Sequence, residues 1–116
     1  MVVTNLKVYK KAHLLTLKLY ELTSMFPKDE VYGLISQIRR AAISINSNLV
    51  EGAARKGISE FRHFVTIARG SAAELRYQIL LSKDLKYLDS DNYNIIDAEI
   101  EEILKMLSGL LNKSNH

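Results

Sequence analysis

SQIRRAAISINSNLVEG, running from Ser36 to Gly52, decides how this chain is read. Together with Ile35, the residues Ile38, Ala42, Ile45 and Leu49 step by 3, 4, 3 and 4. That spacing lines up apolar side chains on one face of a helix. The same stretch is crowded with Ala41, Ser44, Asn46, Ser47 and Asn48, and it carries the adjacent pair Arg39 and Arg40. A helix that serves one core needs few such residues. The stretch therefore predicts close approach by another backbone, another subunit or an anionic partner.

Working outward, the same periodicity recurs three times. Val8, Ala12, Leu15, Leu19, Leu22 and Phe26 form one seam. Ile58, Phe61, Val65, Ala68, Ala72, Leu75 and Ile79 form another, and Tyr93, Ile96, Ile100, Ile103, Leu107 and Leu110 a third. The expected helices cover about 5–26, 30–52, 59–86 and 91–112. Asn5, Asp29, Ser59 and Ser90 or Asp91 are the expected N-caps. Pro27 is expected to end the first helix, and Gly52 or Gly57 to close the second. Short connections at about 27–30, 52–57 and 87–91 make successive helices antiparallel neighbours. The predicted fold is all-α, an antiparallel up-down-up-down four-helix bundle forming a single domain over 1–116.

Composition agrees. The 116 residues are 47% hydrophobic, with one proline and no cysteine, which excludes a disulfide framework and thiolate metal sites. The N-terminal MVVTNLKVYKKAHLL lacks the apolar run of a signal peptide, and no stretch approaches the ~20 apolar residues of a membrane span. A cytoplasmic location without membrane contact is expected. The net charge of +3 is unevenly spread: residues 1–86 carry +7 and residues 87–116 carry −4. The last helix is acidic and the rest of the chain basic.

Several helices hold more apolar residues than one core stripe needs: Ile43 and Val50 in the second, Phe64, Ile67, Leu81 and Leu85 in the third, Leu104 and Leu111 in the fourth. They read either as broad core faces or, together, as surfaces for self-association. Arg62, Arg69, Arg76 and Lys83 lie seven apart along the third helix, spanning roughly 30 Å at 1.5 Å per residue. Lys7, Lys11 and Lys18 form a row on the first helix, and Arg55 and Lys56 follow the second. These bases either pair with Asp97, Glu99, Glu101 and Glu102 of the acidic last helix or form a phosphate-binding surface. Arg39, Arg40, Ser44 and Asn48 carry two readings, hydrogen-bonding groups of an oligomer interface or nucleic-acid contacts. Sequence-specific base readout has no visible motif.

Catalytic chemistry finds no support. Glu60 and His63 match one Glu-x-x-His motif, but a bundle di-metal site needs a second, and neither His13 nor His116 follows a glutamate by three. No phosphate-cradling glycine loop occurs, and the serines read as packing residues. No enzyme activity, metal or cofactor is expected.

The long ordered strings LKVYKKAHLLTLKLYELTSMFPKDEVYGL and SQIRRAAISINSNLVEGAARKGISEFRHFVTIARGSAAEL, and a last segment near LKYL, resemble one family over nearly the whole chain. It is the bacterial family named after the intervening sequences of 23S rRNA genes, the S23 or IVS-encoded proteins. The chain departs from the family's usual pattern at Asn46, where a proline ordinarily stands in a SIPANIAEG-like stretch. A proline kinks a helix, so Asn46 implies a straighter one. The resemblance implies an up-down bundle, in a family with pentamers among its members. It extends to the accessory variability determinant of diversity-generating retroelements, a relative that binds nucleic acid and a reverse transcriptase through a basic pentameric surface. The reading is a non-enzymatic homo-oligomer, a pentamer by resemblance, that binds RNA or DNA non-specifically through Arg55, Lys56, Arg62, Arg69, Arg76 and Lys83. Its alternative is a protein-interaction scaffold with internally paired charges.

Overall fold

The computed structural model describes residues 1–113, and these form four helices: α1 Lys7–Thr23, α2 Leu34–Ala54, α3 Ile58–Asp84 and α4 Ser90–Lys113. Short 3-10 turns at Val3–Asn5 and Lys28–Glu30 complete them, and no strand occurs among the described residues. Helices adjacent in sequence pack side by side, α4 returns to α1, and the diagonal pairs stay apart. This is the antiparallel bundle that the four seams predict.

The apolar seams meet in one core. Leu15, Ile38, Ile45, Leu49, Leu75, Ile79, Ile96, Ile100, Ile103 and Leu107 are all buried to within 1% of full occlusion. The core is asymmetric. α2 and α3 face each other through Ala41, Ala42, Ala68 and Ala72, while α1 and α4 bring leucines and isoleucines. Small residues let the α2 and α3 backbones come close, so α2 and α3 form the most extensive interface of the bundle. The expectation of close approach in the Ser36–Gly52 stretch is thus met inside the chain.

Helix ends differ from the sequence reading in instructive ways. α1 stops at Thr23, four residues before Pro27, and Thr23 and Ser24 turn their hydroxyls back onto the carbonyls of Leu19 and Glu21 at its end. Leu6, not Asn5, precedes α1. Lys28–Glu30 makes its own turn, so α2 begins at Leu34, where Glu30 Oε1 rather than Asp29 accepts the backbone N–H. Glu30 Oε2 accepts the Tyr87 hydroxyl at 3.0 Å and joins the α1–α2 and α3–α4 connections. That bond, with burial second, raises the Tyr87 pKa above its usual value. Gly52 lies buried within α2 and closes nothing, whereas Gly57 takes the left-handed conformation at φ 86° just before α3. Asp89, one residue ahead of the expected caps, accepts the Asn92 N–H at 2.8 Å. Ile58, assigned to a seam by spacing, is 62% exposed because the seam there runs past the end of the core.

α3 ends with Lys86 at φ 67°, a left-handed position usually held by glycine. The Lys86 N–H bonds the Lys83 carbonyl and the Tyr87 N–H bonds the Ser82 carbonyl, the paired bonds of a Schellman turn. Lys86→Gly removes the left-handed penalty, and urea unfolding is expected to show a gain of about 1 kcal/mol. A loss would show that the lysine side chain holds the turn.

Candidate nucleic-acid interface

The ridge of sevens divides once side chains are placed. Arg76 binds Asp97 through two parallel bonds, Nε to Oδ1 at 2.8 Å and Nη2 to Oδ2 at 3.1 Å, with Glu101 at 3.8 Å. The Asp97 hydrogen bond raises the Arg76 pKa above its usual value. Lys83 Nζ lies 4.7 Å from the Tyr93 ring centre. Arg55 pairs with Glu51 at 2.6 Å, and its guanidinium stands over Phe64. On α1, Lys11 meets Glu102 at 3.2 Å and Lys18 meets Glu99 at 2.7 Å. Arg62, Arg69, Arg40 and Lys56 have no acidic partner among the described residues.

Antiparallel packing explains the division. Asp97–Glu102 lies beside the middle of α3 and α1, and no acid follows it in the chain. The second half of α4 therefore runs past Arg69 and Arg62 with Lys105 and no carboxylate. Cutting the bundle across its middle, at Leu15, Ile45, Ser71 and Ile103, separates charge by end. The end that holds the α2–α3 turn comprises 1–14, 46–70 and 103–113, with nine basic and two acidic residues, a net of +7. The other half holds seven basic and eleven acidic residues, a net of −4. These totals equal those of the linear split at residue 86, but from different residues: the fold converts a difference along the chain into a difference between the ends of a molecule 44 Å long.

Three of the four residues with two readings, Arg39, Ser44 and Asn48, make their bonds within the chain. Ser44 Oγ and Ser71 Oγ lie 2.7 Å apart across α2 and α3, and Asn48 Nδ2 donates to the Ser44 carbonyl and hydroxyl oxygens. Arg39 stacks on Tyr20 at 4.3 Å and donates to Thr23 Oγ1 and the Tyr20 carbonyl, so it caps the end of α1. A cation beside a helix C-terminus is favoured by the helix dipole, but the link spans two helices and spacing within one helix gives no sign of it. Arg40 is exposed. α2 runs unbroken through Asn46, whose Nδ2 donates to the Tyr9 carbonyl at 2.9 Å.

His63 is exposed and sits edge-on to Phe64. Among the described residues no three His, Asp or Glu side chains gather as a metal site, and no helix is long and apolar enough to cross a membrane. Of the surplus apolar residues, Ile43, Val50, Ile67 and Leu85 are exposed, while Phe64, Leu81, Leu104 and Leu111 are partly buried. Leu14, Leu17, Tyr77, Leu80 and Ile95 are also exposed; the sequence reading does not single them out.

The family model for 23S rRNA-intervening sequence proteins matches residues 4–109. No curated protein matches the chain. A crystal structure from Bacteroides thetaiotaomicron, described as a protein of unknown function from the S23 ribosomal protein family, superimposes with a TM-score of 0.80. It is 22% identical, and the match covers 90% of this chain and 97% of that one.

Proposed function

We infer that this chain, which belongs to the 23S rRNA-intervening sequence protein family, is a non-enzymatic, self-associating bundle that binds RNA or DNA. Five copies per ring follow from the family resemblance, and a cytoplasmic setting suits a chain without cysteine. The observation that carries the binding function is the segregation of charge. Arg62, Arg69 and Lys56 stand in the basic half without acidic partners, so their charge remains available to phosphates. Arg76 is already neutralised by Asp97, and Lys83 lies in the acidic half. Binding of this kind is independent of sequence and falls steeply with salt. Exposed Leu14, Leu17, Tyr20, Ile43, Val50 and Ile95 support self-association, since soluble monomers seldom show so much apolar surface.

The test is the salt dependence of binding to a DNA duplex and to an RNA of equal length. Arg62→Gln with Arg69→Gln is expected to flatten the slope of log K against log salt by about 2 for the duplex, two phosphate contacts at about 0.9 each. Arg76→Gln is expected to change it by less than half as much. No binding of the wild type at low salt would sink this function. It would favour the second reading, a protein-interaction scaffold, which rests on the internal pairs of Lys11, Lys18 and Arg76 with α4.

A further inference from the structure

The geometry points to a head-to-tail contact between copies, in which the outward stripe of α4 on one protomer lies in the α1–α2 groove of the next. It rests on the self-association reading and assigns it two unlike surfaces. The groove begins at a cavity of about 490 Å³ over the end of α1 and the start of α2, and continues along α2 into a second of about 390 Å³ through their shared Ile43. Its first cavity carries Lys28, Arg39 and Arg40 and no acidic side chain, although it lies in the acidic half of the molecule. Its apolar floor includes Tyr20 and Ile43, which are 40% and 44% exposed.

α4 has the complementary chemistry. Asp91, Ile95, Ala98 and Glu102 follow one another at steps of 4, 3 and 4 on its solvent side. Ile95 is 52% exposed, Asp91 has no cationic partner among the described residues, and Ala98 lets a groove come close. Ile95 beside the unpaired Asp91 suits a basic-rimmed apolar groove, while Glu102 pairs with Lys11 of its own chain.

Height along the bundle supports the pairing. Asp97 lies level with Arg76, Ser71 with Ser44, and Tyr20 and Thr23 with Arg39. Asp91–Ala98 and the Lys28–Arg40 cavity therefore occupy the same end of the molecule. Rotation about an axis parallel to the bundle preserves height, so the two surfaces meet without sliding. The α1–α2 groove and the outward side of α4 lie on different faces of the bundle, so repetition of the contact curves round, and it closes a ring where the rotation divides a full turn. In such a ring every basic end falls on one side.

Two double variants test this, both on exposed positions: a groove variant, Arg40→Glu with Ile43→Asp, and a stripe variant, Asp91→Arg with Ile95→Asp. Each alone is expected to lose the wild-type assembly in light scattering, with dissociation at protein concentrations at least about tenfold higher than the wild type's. Mixed in equal amounts, they retain one intact groove and one intact stripe between them, and are expected to form a dimer of two 13.2 kDa chains and nothing larger. If the wild type is assembled and either variant keeps its size, or the mixture fails to pair, the contact is wrong while self-association stands. A wild type that is monomeric at micromolar concentration overturns both. Helicity by circular dichroism confirms folding, and single Arg40→Glu or single Asp91→Arg replaces the groove or the stripe double variant if that variant loses it.

Discussion

Gly52→Val is expected to lower the unfolding free energy by about 3 kcal/mol. A Cβ at Gly52 would stand 2.8 Å from Phe64 Cβ and 3.4 Å from both the Phe61 ring and its carbonyl oxygen. The first of these atoms is fixed to the α3 backbone, so no rotamer change relieves the contact and the two helices must part. Separation opens the alanine seam above it, where no longer side chain is available to follow. Valine adds two methyl groups to that first carbon and enlarges the clash. Gly70 is the control, since a Cβ there meets nothing within 4 Å. Gly70→Ala is expected to gain up to about 1 kcal/mol from helix propensity alone. Urea denaturation at one fixed protein concentration measures both, because assembly adds to apparent stability. Equal effects at the two glycines would refute the close-packed seam.

Ile103→Ala is expected to cost about 3 to 4 kcal/mol, or a fall of some 12–15 °C in Tm for a chain of this size. Ile103 is fully buried on α4, on the side of the core that holds long side chains. Removing three carbons leaves a cavity that the α2–α3 alanines opposite cannot fill. Ile58→Ala, at 62% exposure at the start of α3, is expected to stay within about 0.5 kcal/mol. A small loss at Ile103 would mean that α4 can move inward, a laxity at odds with its Asp97 and Glu99 links to Arg76 and Lys18.

The four seams were legible because heptad spacing reports burial directly, and Ile35 to Leu49 and Phe61 to Ile79 are buried as spacing requires. Helix ends were less so. Thr23, Glu30 and Asp89 do the capping, yet each is chosen over a neighbour of similar propensity by contacts that exist only after folding. Arg62 and Arg76 are alike in the sequence, two heptads apart on one ridge. What separates them is Asp97, brought alongside only Arg76 by the return of α4. Gly52 likewise reads as a helix terminator until the position of Phe64 is known. For Arg76 and Gly52 the missing information is a partner on another helix.

The separation of charge between the two ends also gives the molecule an electric direction. A body of +7 at one end and −4 at the other, 44 Å from tip to tip, carries a large dipole. A polyanion exerts a torque on such a body before contact, over a range set by the Debye length of about 8 Å at physiological ionic strength. Encounters are thereby biased end-on, α2–α3 turn foremost. With a polyanion at the basic end, the other end, with Asp89 and the Glu30–Tyr87 link, would point away from it.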